Sequence, residues 1–142
     1  MTAMTITARC YCGHVEMRSE LAPVTVAFCH CIDCKRWTGS PAPAFAAFDV
    51  GAVQATPDLG APVVTNAGVE RWNCPKCGSP LGATFDYLPN QFYVPLGLID
   101  QADALPAAIH CHSAQQLPWL RIHDNADRAA RSARDTLKVS KT

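Results

Sequence analysis

Cys29-His30-Cys31-Ile32-Asp33-Cys34 packs three thiols into six residues, with a histidine and an aspartate between them. Soft donors this close together point to a metal ion. They are one ligand short of a closed structural zinc site, and three protein ligands with an open position is the usual catalytic arrangement. Two further groups, Cys10-Tyr11-Cys12 and Cys74-Pro75-Lys76-Cys77, lie on either side of it. Seven of the eight cysteines fall into these three groups and Cys111 stands alone, a clustering that reads as metal ligation rather than as a disulfide framework.

Side chains alternate along an extended strand, so Cys10 and Cys12 project from one face while Tyr11 points away. A tight turn over residues 74–77, with Gly78 permitting positive φ, brings the complementary two sulfurs together. Two and two make a closed four-thiolate site. Zinc fits it best, since none of the ferredoxin spacings is present. A site of this kind staples remote segments and contributes to folding.

The same alternation puts Cys29 and Cys31 on one face at the end of a strand over residues 24–28, and a turn to Cys34 adds the third sulfur. His30 then points to the other side and is a poor fourth ligand. The more distant candidates are His110, Cys111, His112 and His123. Each has a plainer reading: Cys111 as an inert buried thiol, His110 and His112 as exposed residues sharing a strand face. If the fourth position is open, three thiolates make the zinc a weak activator of water but a good captor of a substrate thiol. Lys35 and Arg36 could offset the negative site, bind a substrate carboxylate, or simply be solvated. Asp33 could orient a ligand or cap a turn. The aromatic residues, among them Trp37, Phe45, Phe85, Tyr87, Tyr93 and Trp119, are read as core or pocket wall.

With 142 residues, 49% of them hydrophobic, the chain can bury a core as one domain. Eleven prolines and eight glycines cut it into short runs, which favours a mainly β fold of short antiparallel strands. Strands are expected around Val15 and Met17, over residues 24–28, 44–48, 63–65, 70–73, 92–96 and 109–112, with a loop over 49–62. Residues 125–138 carry alanines among arginines without proline or glycine, which predicts a C-terminal surface helix with Asp124 as N-cap. The organisation is therefore a zinc-binding domain over residues 1–124 and a helix or tail over 125–142. Twelve basic and twelve acidic residues cancel, so there is no basic field to gather nucleic acid or membrane. Residues 1–9 have no basic region followed by an apolar run, and a cytoplasmic location with free thiols is expected.

The run Cys10-Tyr11-Cys12-Gly13, then Cys29 to Arg36, then Cys74-Pro75-Lys76-Cys77-Gly78 resembles the glutathione-dependent formaldehyde-activating enzyme family, which also includes centromere protein V. Gly39, Gly97-Leu98-Ile99-Asp100, Leu105-Pro106 and Pro118-Trp119 add to the likeness, which spans roughly residues 8–124. The resemblance implies a zinc-dependent carbon-sulfur lyase of β-tent type with two zinc ions per chain. Cys10, Cys12, Cys74 and Cys77 would hold a structural zinc, and Cys29, Cys31 and Cys34 a catalytic one that is the more open to loss or oxidation. The family's named reaction joins glutathione and formaldehyde into S-hydroxymethylglutathione, so a small thiol such as glutathione is the implied partner. Cys111 departs from the aromatic or branched residue usual near that position. The alternative from another class is a non-catalytic zinc-stabilised protein-binding or chaperone module, which a protein ligand closing the second site would favour.

Overall fold

The computed structural model describes residues 3–132. Over these the chain runs β1 (Ala3–Arg9), β2 (Glu16–Leu21), β3 (Thr25–Cys29), α1 (Ile32–Thr38), β4 (Ala44–Asp49), β5 (Gln54–Thr56), β6 (Val69–Asn73), β7 (Pro80–Phe85), β8 (Leu88–Pro95), β9 (Ile109–Cys111) and β10 (Asp127–Arg128). The expected mainly β fold is what forms. A three-stranded antiparallel sheet is ordered β1-β2-β5, and a seven-stranded sheet is ordered β10-β9-β3-β4-β8-β7-β6. Pairing is antiparallel except at one end of the larger sheet, where β9 runs parallel to both β3 and β10. Among the described residues no helix is long and apolar enough to cross a membrane.

The alternation read at β2 has its physical counterpart: Met17 and Ser19 are buried while Glu16 and Arg18 face out. Ile6, Ala8 and Met17 from the small sheet, with Val15 just before β2, pack with Ala46, Phe48, Leu81 and Val94 from the large one, forming the main core. β4 is apolar on both faces because it lies between two cores. Ala46 and Phe48 join the main core, whereas Phe45 and Ala47 turn to a second cluster with Cys34, Leu88 and Tyr93. That second core is where the three-cysteine group sits. Gly82 of β7 serves a close approach: a Cβ there would run into the ring of Phe92, whose neighbour across the cluster is Trp72, 5.7 Å away between ring centroids.

Three expectations change. The one described α-helix, α1, starts inside the cysteine cluster, where a strand end and a turn were expected. The strand expected over 63–65 reduces to an isolated bridge from Val63 to Arg71. Residues 125–132 are not helical; they form β10 and its flanks, with the Asp127 and Ala129 amides donating to the carbonyls of Ala108 and His110. Those backbone bonds along β9 outweigh the weak helix preference of scattered alanines. The remainder of the predicted helix lies outside the described residues.

Candidate functional site

The strand expected to carry Cys10 and Cys12 ends at Arg9: Cys10 follows β1 directly, Cys12 lies in the turn after it, and Cys74 and Cys77 bracket the turn between β6 and β7. All four sulfurs lie within 4.8 Å of one another. Cys10 is 3.6 Å from Cys74 and 3.7 Å from Cys12, and Cys12 is 3.8 Å from Cys74. Ligand bonds of about 2.3 Å in a tetrahedron set sulfur edges of about 3.8 Å, so the donor set and its spacing fit an ion of zinc's size. Backbone amides are aimed at the sulfurs, Val15 donating to Cys10 at 3.4 Å and Lys76 to Cys74 at 3.4 Å. Gly78 takes a φ of 79°, and its amide donates to the Cys74 carbonyl, as the turn requires. Ser79 holds the Cys77 thiol down at about 5 through side-chain and backbone hydrogen bonds. Tyr11 is 92% exposed and turns away from the cluster.

Cys29, Cys31 and Cys34 also converge within 4.8 Å, and among the described residues no other donor completes that group. The route differs from simple strand alternation. Cys29 ends β3, Cys31 is the N-cap of α1, and Cys34 lies on the first turn of that helix. The Cys31 sulfur accepts the Cys34 amide at 3.3 Å and the Cys29 thiol at 3.4 Å. Hydrogen bonds from Cys29 and then Cys34 hold the Cys31 thiol far below its usual value, while the same bonding and burial push Cys29 up. Gly39, at φ 74°, closes the helix by donating to the Lys35 carbonyl at 2.8 Å.

Cys29 and Cys34 open onto a narrow cleft walled by Phe45, Phe85, Tyr87 and Tyr93 and by Cys111 across the sheet. Burial raises the phenols of Tyr87 and Tyr93 above their ordinary values, so both keep their protons at neutral pH. Trp37 stacks on Phe45 at 6.2 Å behind the cluster. Trp119, by contrast, is 69% exposed and belongs to neither core nor cleft wall.

The four distant histidine and cysteine candidates do not join the three sulfurs. His110, expected at the surface, is fully buried, because the parallel pairing of β3 with β9 sets it opposite Phe28. Its Nδ1 lies 2.8 Å from His30 Nε2, and its Nε2 lies 2.7 Å from Asp124 Oδ2. The carboxylate fixes the sense of the chain: His110 Nε2 donates to Asp124, its Nδ1 accepts from His30, and His30 Nδ1 is left as a buried lone pair without a partner among the described residues. Asp124, expected as a helix N-cap, is instead the anchor of this chain, held at about 2 first by its bond to His110. Sequence reasoning missed the arrangement; its sole local signal was a histidine between the apolar Ile109 and Cys111. His112 leaves the strand at a φ of 53°. Lys35 is engaged with the Gln115 carbonyl at 2.7 Å, while Arg36 and Asp33 border a separate hollow on the outer side of α1.

A sequence model of the family described as "Glutathione-dependent formaldehyde-activating enzyme" matches residues 5–115. Among solved structures, the crystal structure of a Rhodobacter sphaeroides protein superposes with a TM-score of 0.53 at 20% identity, covering 66% of this chain and 87% of that one. At that identity the likeness concerns the fold. No curated protein matches the chain.

Proposed function

We propose, for a chain that belongs to the glutathione-dependent formaldehyde-activating enzyme family, that it is a zinc-dependent carbon-sulfur lyase acting on the adduct of a small thiol with formaldehyde or a related electrophile. The thiol is glutathione or a relative of it. The observation that carries this reading is the three-sulfur group of Cys29, Cys31 and Cys34, with two of its members facing a cleft and, among the described residues, no fourth donor close enough to join all three. Cys10, Cys12, Cys74 and Cys77 hold a structural zinc in this reading. When bound at Cys29, Cys31 and Cys34, zinc supplies the means of keeping a substrate thiol deprotonated at neutral pH.

The remaining work falls to the chain itself. Phe45, Phe85 and Leu88 exclude water from the reacting carbon, which strengthens polar interactions inside the cleft. Tyr87 and Tyr93 keep their phenolic protons and present Oη donors to the electrophile's oxygen as charge develops there. In the forward direction the carbon-sulfur bond forms, the carbonyl π bond opens onto oxygen, and the proton that leaves the thiol ends on that oxygen. In reverse the same bond breaks and the aldehyde leaves. Asp124, His110 and His30 stiffen the end of β3 from behind, fixing where Cys29 and Cys31 stand.

The test is calorimetric titration of glutathione into fully zinc-loaded protein, read beside the zinc absorption edge. Binding with a fourth sulfur in the edge spectrum, together with protein-accelerated exchange of labelled formaldehyde into the adduct by NMR, is the expected result. Absence of heat and an unchanged edge would sink the glutathione reading, and a fourth protein sulfur or nitrogen in the resting spectrum would favour a binding module.

A further inference from the structure

Cys111 is the one cysteine outside the three sequence groups, and the fold sets it beside the second of them. β9 runs parallel to β3 in the register Ala27 to Ile109, Phe28 to His110 and Cys29 to Cys111. Register partners on neighbouring strands project to the same side of the sheet. Cys29 and Cys111 share the side that lines the narrow cleft, together with Thr25 and Ala27. The opposite side locks the register. There His110 stacks on Phe28 with ring centres 4.6 Å apart and shares the 2.8 Å bond with His30, while the His30 amide donates to the Cys111 carbonyl at 3.0 Å. The two sulfurs are thus carried by backbones fixed against each other and open to the same small volume.

Neighbouring strands lie about 4.8 Å apart, inside the window of about 4.4 to 6.8 Å between Cα atoms that a disulfide needs. Cys29 and Cys31 are worse placed, although their sulfurs are 3.4 Å apart. Cys29 ends a strand and Cys31 is itself extended, at φ −66° and ψ 153°. Two extended residues span about 6.6 to 7.2 Å, at or past the upper limit, and the His30 between them is tied to β9 by both ring and amide. Cys31 and Cys34 are spaced as a CxxC across the first turn of α1 and can pair with each other, which leaves Cys29 as the odd sulfur. We infer that Cys29 and Cys111 form a reversible disulfide site, closed by a hydroperoxide that enters the cleft and opened by a thiol reductant. The Cys29 sulfur, the more exposed of the two, attacks the peroxide; the O–O bond breaks, and the leaving oxygen takes the Cys29 proton. The Cys111 sulfur then attacks the Cys29 sulfenic acid, the S–O bond breaks, and hydroxide leaves with the Cys111 proton as water. Two electrons pass from the two thiols, and hydrogen peroxide ends as two waters. Without such a partner the odd sulfur proceeds to sulfinic and sulfonic acids, which thiols do not reverse. The link takes Cys29 out of the three-sulfur group, and two sulfurs are too few to hold zinc tightly. That consequence rests on the zinc reading above, whereas the link itself rests on strand register.

Zinc-loaded wild type and Cys111→Val are treated with a small excess of hydrogen peroxide, remaining thiols are capped with N-ethylmaleimide, and unreduced chymotryptic peptides are mapped by tandem mass spectrometry. Released zinc is followed with a chromophoric chelator. In wild type the main cross-link of Cys29 should run to Cys111 and disappear with dithiothreitol. After dithiothreitol and fresh zinc, wild type should regain its full metal content, whereas in Cys111→Val sulfinic acid at Cys29 should rise about threefold or more and less than about half of the lost zinc should return. Valine suits the apolar cluster that Cys111 forms with Ala27 and Ile109, and the wild-type peptide map decides the link without any variant. Cys29 linked to Cys31 or Cys34 with Cys111 capped, or both Cys29 and Cys111 capped after peroxide, overturns the site; so does recovery by Cys111→Val equal to that of wild type. A Cys29–Cys111 link formed with zinc content unchanged refutes Cys29 as a metal ligand and leaves the disulfide site standing.

Discussion

Cys74→Ser should cost far more stability than Cys31→Ser, although each removes one sulfur. Cys10 and Cys74 are 64 residues apart in sequence and 3.6 Å apart in space, so a metal holding both closes a long loop. The chain-entropy relation for a cross-link of that span gives about 4 kcal/mol. Cys29, Cys31 and Cys34 are separated by steps of only two and three residues. A loop of about six residues is worth about 2 kcal/mol by the same relation. Against a typical domain stability of about 5 to 15 kcal/mol, the first loss is a large fraction and the second is tolerable. For a chain of this size the difference reads as a melting temperature lowered by roughly 10 to 15 °C for Cys74→Ser and by roughly half that or less for Cys31→Ser. The assay pairs thermal unfolding with metal analysis on protein loaded with zinc. Wild type should carry about two zinc ions, and Cys31→Ser about one while retaining its fold. Loss of both ions by Cys31→Ser, or melting temperatures of the two variants that coincide, would refute the division into a stapling site and a working site.

Gly82→Ala should destabilise by about 1 to 3 kcal/mol in denaturant unfolding, because the added methyl meets the Phe92 ring, and Phe92→Leu in the same chain should recover part of the loss. Asp124→Asn should lower stability at neutral pH with a defined pH signature. The carboxyl is held at about 2, below its ordinary 3.8, so its contribution is complete above pH 3.8 and disappears as pH falls through about 2; the gap between variant and wild type should close over that window. Tyr87→Phe should leave thiol binding unchanged and slow adduct exchange by about tenfold or more, if its Oη donates to the electrophile's oxygen. An equal loss in binding and exchange would instead make Tyr87 part of the thiol's seat.

The cysteine groups were legible because both their chemistry and their grouping are local. A CxC or CxxC spacing brings sulfurs together whatever the rest of the chain does, and Gly78 announces its turn by lacking a Cβ. The β character was legible too, through proline and glycine breaks and the alternation of Val15 and Met17 with Glu16 and Arg18. Local reading erred where weak preferences met long-range pairing. Residues 125–132 carry a helix-like alanine pattern, but the carbonyls of Ala108 and His110 offer a strand edge that the pattern does not encode. The short helix α1 was hidden for the opposite reason, since Cys31 serves at once as a sulfur donor and as an N-cap.

The sequence by itself therefore determined that this chain carries soft-donor clusters in a mainly β frame, because those properties depend on residue type and on spacings of a few residues. Only the tertiary structure determined that Cys10 and Cys12 meet Cys74 and Cys77 at sulfur-edge distances, that buried His30 and His110 run in one hydrogen-bonded chain to Asp124 at the surface, and that the Arg71 guanidinium lies over Trp37. The cysteine meeting and the histidine pair depend on strand order and register across 64 and 80 residues of chain. Register is fixed by which faces can be buried together, a condition on the whole core that no local pattern states.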